Sequence, residues 1–189
     1  HVQCSSGPSF RHSLRKNIEH EAPRANRYGV DVFMLEDESK FGISKCDHPP
    51  CKFAFRQYLK QRYSDLAELN RTWKTDFAHW NTVVRTPAPD PQTLAPEIDH
   101  TRFMRRLYAE WVDQSQGGIR RFIPNAKVGF SVSWGDSWEL SRYRSATMWH
   151  RAVFHYRAHN SYGRPEIKFG TWYGPTYNKS DKNEAQARH

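Results

Sequence analysis

The sequence predicts an α/β fold organised around a parallel sheet, and three observations carry that prediction. Short apolar or β-branched runs at Asp31–Leu35, Lys127–Trp134 and Ile167–Trp172 read as strands, and a continuous apolar run of this length suits a strand covered by helices on both faces. Stretches of helical periodicity lie before, between and after them, an alternation that builds parallel sheets through right-handed crossovers. Finally, only 37% of the 189 residues are apolar, but 14% are aromatic, with seven Trp and eleven Phe, and aromatic side chains bury large areas each. The chain is long enough for one core and too short for a complete eight-stranded β/α barrel, which takes about 250 residues.

Taken in order, Pro8 followed by Phe10, Leu14 and Ile18 at four-residue spacing predicts a helix over 8–22 that ends near Pro23. Asp31–Leu35 is the first strand, followed at once by Glu36, Asp37 and Glu38. A loop with Cys46, His48 and Cys51 leads to Phe55, Tyr58, Leu59, Arg62, Tyr63 and Leu66 at helical spacing. Asp65, with Glu68 three residues beyond, marks a fresh helix start, so two successive helices are expected, the second ending near Trp73. Prolines at 87, 89, 91 and 96 break regular structure and predict an extended surface loop over 84–96. A long helix then places Met104, Leu107, Tyr108, Trp111 and Val112 on one stripe and closes around Gly117-Gly118 or Pro124. The second strand covers Lys127–Trp134, Tyr143–His159 is read as a helix, and Ile167–Trp172 is the third strand. One partial catalytic domain is expected over 1–189, with no internal repeat.

The net charge of +9 brings nucleic acid into consideration, because phosphate neutralisation by Lys and Arg drives such binding. The charge is dispersed, however: Arg105-Arg106 and Arg120-Arg121 sit within helical patterns, as on solvated helix faces. No apolar run approaches the roughly 18 residues of a membrane span, and the start His1-Val2-Gln3-Cys4 lacks the features of a secretory signal. These readings exclude a membrane segment and favour the cytoplasm. The absent initiator Met suggests an excised piece.

In parallel α/β folds, reactive groups collect in the loops after the C-terminal ends of strands, where Glu36, Asp37 and Glu38 stand. Alternate residues of a strand point to opposite sides, so only alternate members of the trio face one site. A buried acid beside other acids has its proton affinity raised and suits a general acid, whereas capping or salt-bridging acids would give the same local pattern. Cys46-Asp47-His48-Pro49-Pro50-Cys51 is C-x-H-x-x-C. Its thiolate and imidazole ligands suit a closed tetrahedral Zn²⁺ site, with Cys4 as the fourth ligand. Three unrelated thiols and a surface histidine remain the alternative on spacing alone. Trp134 and Trp172 at strand ends are candidates for stacking on sugar C–H faces, a role that core packing rivals.

These blocks together resemble glycoside hydrolase family 42 from about Val2 to Arg102. The blocks are Cys4-Ser5-Ser6-Gly7-Pro8; Leu35-Glu36-Asp37-Glu38; Cys46 to Cys51; and Ala54-Phe55-Arg56-Gln57-Tyr58-Leu59 with Leu66-Ala67-Glu68-Leu69-Asn70-Arg71-Thr72-Trp73. Their order and spacing carry the resemblance, which weakens beyond about residue 110. It implies a partial (β/α)8 TIM barrel whose three strands resemble the fourth to sixth, and a retaining hydrolase of β-galactosides or related β-linked sugars. In that reading Glu38 is the general acid/base. Asp37 replaces an Asn that hydrogen-bonds the sugar, and Cys4, Cys46, His48 and Cys51 hold a structural Zn²⁺. The nucleophile Glu, which the family places after its seventh strand, has no match here, since Glu184 reads as helical. These residues alone are therefore expected to be inactive. A carbohydrate is the expected partner, and a homo-oligomer of the complete enzyme stays open. The competing readings are a divergent barrel hydrolase of another β-glycoside and, ranked well below, a zinc-stabilised basic nucleic-acid-binding module.

Overall fold

The structure, a computed structural model, describes residues 4–35, 46–85, 92–130, 146–150 and 168–172, the last two segments and residue 130 as backbone. Helix α1 (Pro8–Arg27) leads to strand β1 (Val32–Met34); then follow α2 (Pro49–Arg62), α3 (Leu66–Trp73), a 3-10 turn (Trp80–Thr82), α4 (Ala95–Arg120), β2 (Lys127–Phe130), β3 (Ala146–His150) and β4 (Lys168–Trp172). All described strands are parallel and lie in sequence order, β1-β2-β3-β4. The register sets Val32 beside Lys127 and Met34 beside Gly129. The ladder is extended by Lys127 N–H donating to Asp31 O at 2.7 Å and Leu35 N–H to Gly129 O at 2.8 Å. The α/β prediction with a parallel sheet therefore holds.

Three expectations are corrected. The helix expected from Tyr143 to His159 meets a strand at Ala146–His150, paired on one side to β2 and on the other to β4. Thr147, Met148 and Trp149 fit a pleated surface well, and pairing on both sides overrides a local helical pattern. The sheet consequently has four described strands where three were expected. Helix α1 does not stop at Pro23 but contains it and runs to Arg27, the lost hydrogen bond being one among many along 20 residues. Similarly, α4 passes through Gly117-Gly118 to Arg120: glycine weakens a helix interior by only about 1 kcal/mol, and Gly118 lies where α1 crosses, an added Cβ there standing 3.1 Å from Ile18 Cδ1.

Helix α3 begins and ends as the sequence anticipated, whereas α2 starts at Pro49 and takes in Cys51, which had been expected in the loop before it. Asp65 caps α3 by accepting from Glu68 N–H at 2.7 Å, and the Glu68 carboxylate accepts from Ser64 N–H, also at 2.7 Å, a reciprocal capping box. After α3, Lys74 adopts a left-handed conformation (φ 55°). The turn that follows is stapled by Asn70, whose side chain accepts from Phe77 N–H and Thr75 hydroxyl and donates to Phe77 O.

The main core lies among α2, α3 and α4, where Phe55, Leu59, Leu69, Trp73, Val83, Phe103 and Met104 are buried. Fully burying one such side chain contributes about 1.5–3 kcal/mol. A second cluster, Ile119, Ile123, Ala126 and Val128 with Ile18 and Phe33 against it, seals α1 and α4 onto β1 and β2. Within the main core, Asp99 of α4 is buried and accepts from Arg62 Nε (2.6 Å), Tyr63 hydroxyl (2.5 Å) and Trp73 Nε1 (2.9 Å), tying α2 and α3 to α4. Burial, and then the Asp99 carboxylate, push the Tyr63 phenol above its usual pKa. No helix among the described residues is long and apolar enough to cross a membrane.

Candidate metal centre and catalytic strand

Three short pieces of chain meet at one point. Cys4 sits just before α1, Cys46 leads into α2, and Cys51 lies in the first turn of α2, where its N–H bonds His48 O at 3.0 Å. The turn that carries Cys4 is closed by Gly7 N–H donating to Cys4 O at 2.8 Å. A side chain at position 7 would be tight, since a Cβ there would stand 3.0 Å from that oxygen and the turn would have to give by a few tenths of an ångström. All three cysteines are free thiols, and their Sγ atoms lie within 4.8 Å of one another. The Cys46–Cys4 separation is 3.5 Å, and Ser6 hydroxyl lies 3.7 Å from Cys51 Sγ.

This geometry passes the test for a thiolate-bound metal. Four ligands about 2.3 Å from a tetrahedral Zn²⁺ place their sulfurs about 3.8 Å apart, within the span seen here. His48 Nδ1 is 3.4 Å from Cys46 Sγ, at the edge of the group and outside the mutual set of three thiols. Burial pushes the Cys51 thiol up to about 12 and raises that of Cys46. Without a cation these are neutral, clustered thiols; a bound divalent metal deprotonates them outright.

Of the sequence-predicted ligands, the structure thus brings together three: Cys46 and Cys51, five positions apart, and Cys4, 42 positions before Cys46, with His48 at the edge. The catalytic candidates have a different standing: β1 ends at Met34, its ladder at Leu35, and Glu36, Asp37 and Glu38 follow directly but lie outside the described residues. Trp134 and Glu184 also lie outside them, and Trp172 is described only as the last backbone position of β4. Sequence reasoning missed the buried network on Asp99 and the burial of Arg85. Arg85 is among the residues lining a cavity of about 280 Å³ beside Cys46 and Cys51, and its side chain, only 9% exposed, pairs with the Glu97 carboxylate at 3.6 Å. The available signal was a lone Arg in a Pro-rich stretch, which says nothing about burial.

The order of these elements is that of a known group of proteins. A family model described as β-galactosidase, glycoside hydrolase family 42, matches residues 1–164. The chain belongs to glycoside hydrolase family 42. The match reaches well beyond residue 110, where the sequence resemblance had been expected to fade. A β-galactosidase of Geobacillus kaustophilus is 30% identical over 133 residues, 66% of this chain and 20% of that protein. One from Thermus sp. is 31% identical over 147 residues, 67% of this chain and 22% of that protein. The chain therefore spans about a fifth of the length of these family 42 relatives. Among solved structures, the β-galactosidase from Bacillus circulans sp. alkalophilus aligns with a TM-score of 0.69 and 19% identity, over 84% of this chain and 27% of that one. An agarase aligns with a TM-score of 0.61 and 16% identity, over 81% and 25%. At such identities the likeness concerns the fold alone.

Proposed function

We propose that the complete protein is a retaining glycosidase acting on β-galactosides or related β-linked sugars, with Glu38 as its general acid/base. The observation that carries this is the placement of Glu36-Asp37-Glu38 immediately past the C-terminal end of β1 in a parallel sheet, in a chain that belongs to family 42. Loops after strand C-termini are where β/α-barrel enzymes gather their reactive groups. The sheet supports the barrel reading in a second way: among the described strands β1 and β4 are edges, and Val32 of β1 is 44% exposed, as expected of a barrel segment whose neighbouring strands come from elsewhere in the complete protein. β1 is retained as the fourth barrel strand. The extra strand β3 removes the assignment of the last strand as the sixth.

In this mechanism Glu38 protonates the glycosidic oxygen as the bond breaks and later takes a proton from water as the intermediate is hydrolysed. Asp37 accepts a hydrogen bond from a sugar hydroxyl, a role an Asn would share between donor and acceptor. Trp134 and Trp172 offer rings for sugar faces. The second carboxylate, which retaining chemistry needs about 5–5.5 Å from the first, follows the seventh strand in the family; with β1 as the fourth, that position comes after β4, outside the described residues. Cys4, Cys46 and Cys51, with His48 as fourth ligand, would hold a structural Zn²⁺ that ties the start of α2 to the start of α1; the metal supplies cross-linking there and no reaction step.

The test is Glu38→Gln in the complete protein. Hydrolysis of an unactivated β-galactoside should fall by about 10²–10⁴-fold. An activated aryl β-galactoside should still form its intermediate, and azide, which needs no general base, should speed its breakdown. Near-normal rates on the unactivated substrate would remove Glu38 from this role.

A further inference from the structure

Two cavities along the outer side of α1 and α4 meet at Arg11. The larger, about 560 Å³, has Leu14, Ile18 and Phe122 in its wall and Arg11, Arg15 and Arg121 beside them. All three arginines are exposed, and no guanidinium among them meets a carboxylate of the described residues. Glu19 is the lone acid among the described residues that line this cavity. Arg11 and Arg15 stand four apart on α1, a spacing at which like charges oppose a helix and an anion between them relieves the repulsion. Gly117, where an added Cβ would meet nothing within 4 Å, leaves the cavity open on the α4 side.

The smaller cavity, about 370 Å³, continues past Arg11 to Phe53, Tyr58, Gln57 and Gln61 of α2. Phe53 is 63% exposed, and the two amides beside it offer donors and acceptors. Charge is balanced at this end, where Arg106 pairs with Glu110 at 3.0 Å. An exposed ring flanked by amides suits the C–H face and hydroxyls of a sugar, while guanidinium groups without a carboxylate suit sulfate or carboxylate oxygens. Arg121 and Phe122 shortly precede β2, whereas Ser6 and Phe53 lie near the starts of α1 and α2. The groove therefore runs lengthwise down the helices, toward the side on which the strands begin.

We propose that this groove holds an acidic polysaccharide chain, with Arg11, Arg15 and Arg121 on its sulfate or carboxylate groups and Phe53 on a sugar ring. The choice of a sugar chain over an acidic peptide rests on the glycosidase reading; the binding itself does not involve Glu38. A second copy of this chain is a poor occupant, because its own net charge is +9.

The test is binding of the complete protein to immobilised polymers, with saturating galactose present to occupy the galactoside site. The polymers are a sulfated galactan, polygalacturonate, a neutral galactan and poly-L-glutamate. The sulfated galactan or polygalacturonate should bind at least about tenfold more tightly than the neutral galactan, and the tighter of the two identifies the anionic group. Arg11→Gln and Arg15→Gln together should weaken that binding about tenfold. Arg27→Gln, an exposed charge of α1 outside both cavities, should change it less than about twofold. Phe53→Ala should weaken it about threefold or more. All four positions are exposed, so folding should tolerate the changes. Glu38→Gln should bind the acidic polymer as the unsubstituted protein does, so loss of the catalytic assignment and loss of this site read differently. Neutral galactan binding as tightly as both acidic polysaccharides overturns the proposal, as does poly-L-glutamate binding as tightly as the better of them. So does a doubly substituted protein that loses no more than Arg27→Gln, or no binding of either acidic polysaccharide.

Discussion

Replacing Asp99 tests whether one buried carboxylate joins α2 and α3 to α4. Asp99 is 1% exposed and receives three bonds: Arg62 Nε on Oδ1, and Tyr63 hydroxyl and Trp73 Nε1 together on Oδ2. In Asp99→Asn one carboxylate oxygen becomes an NH₂ group, which cannot accept. The less costly orientation keeps the amide oxygen on Tyr63 and Trp73 and turns NH₂ toward Arg62, whose side chain is 38% exposed and can turn to water. Solvent screening limits the lost ion pair to about 0.5–1 kcal/mol, and two bonds pass from a charged to a neutral acceptor, a further loss of about 1 kcal/mol each. Easier desolvation of a neutral side chain offsets part of this, leaving about 2 kcal/mol. Asp99→Ala strands a buried hydroxyl and indole N–H at about 1–3 kcal/mol each, for a total near 3–5 kcal/mol. Arg62→Met should cost no more than about 1 kcal/mol. Urea unfolding of the intact protein, followed by tryptophan fluorescence because Trp73 is itself in the network, measures all three. The reasoning fails if Asp99→Asn changes stability by less than about 0.5 kcal/mol, or if Arg62→Met costs as much as Asp99→Ala.

Cys46→Ser should abolish zinc retention under chelator-free, reducing purification, read by metal analysis; unchanged zinc would sink the thiolate centre. Gly117→Ala should stabilise by about 0.5–1 kcal/mol, because an added methyl meets nothing within 4 Å, whereas Gly118→Ala should gain less or nothing, its methyl pressing on Ile18 Cδ1 at 3.1 Å; thermal melts of the two compare them directly. Hydrogen bonds from the Ser64 hydroxyl and N–H lower the Glu68 pKa. Its contribution is therefore present above the ordinary pKa of 4.5 and lost as pH falls through the lower folded value, so Glu68→Gln should flatten the acid limb of the stability–pH curve and leave its alkaline limb alone.

What the sequence determined by itself was whatever rests on local or short-range chemistry. The Asp65–Glu68 cap, the start of α3, the apolar core of β1 and the C-x-H-x-x-C spacing all act within one or two turns of chain, so residue type and interval suffice to read them. The family was legible for the same reason, in the order of its blocks from Cys4 to Trp73. The tertiary structure alone decided the rest. Residues 146–150 become a strand because β2 and β4 offer backbone partners on both sides, which no local pattern records. Pro23 and the Gly117-Gly118 pair are tolerated inside helices whose faces are held by packing. The Trp73 of the recognised motif is needed for a bond to Asp99, 26 residues later. Arg85 acquires its character only from what surrounds it, since an arginine in a Pro-rich stretch has no feature that distinguishes a solvated charge from one enclosed and paired with Glu97. Burial and charge pairing are sums over neighbours distant in sequence, and the fold is what chooses those neighbours.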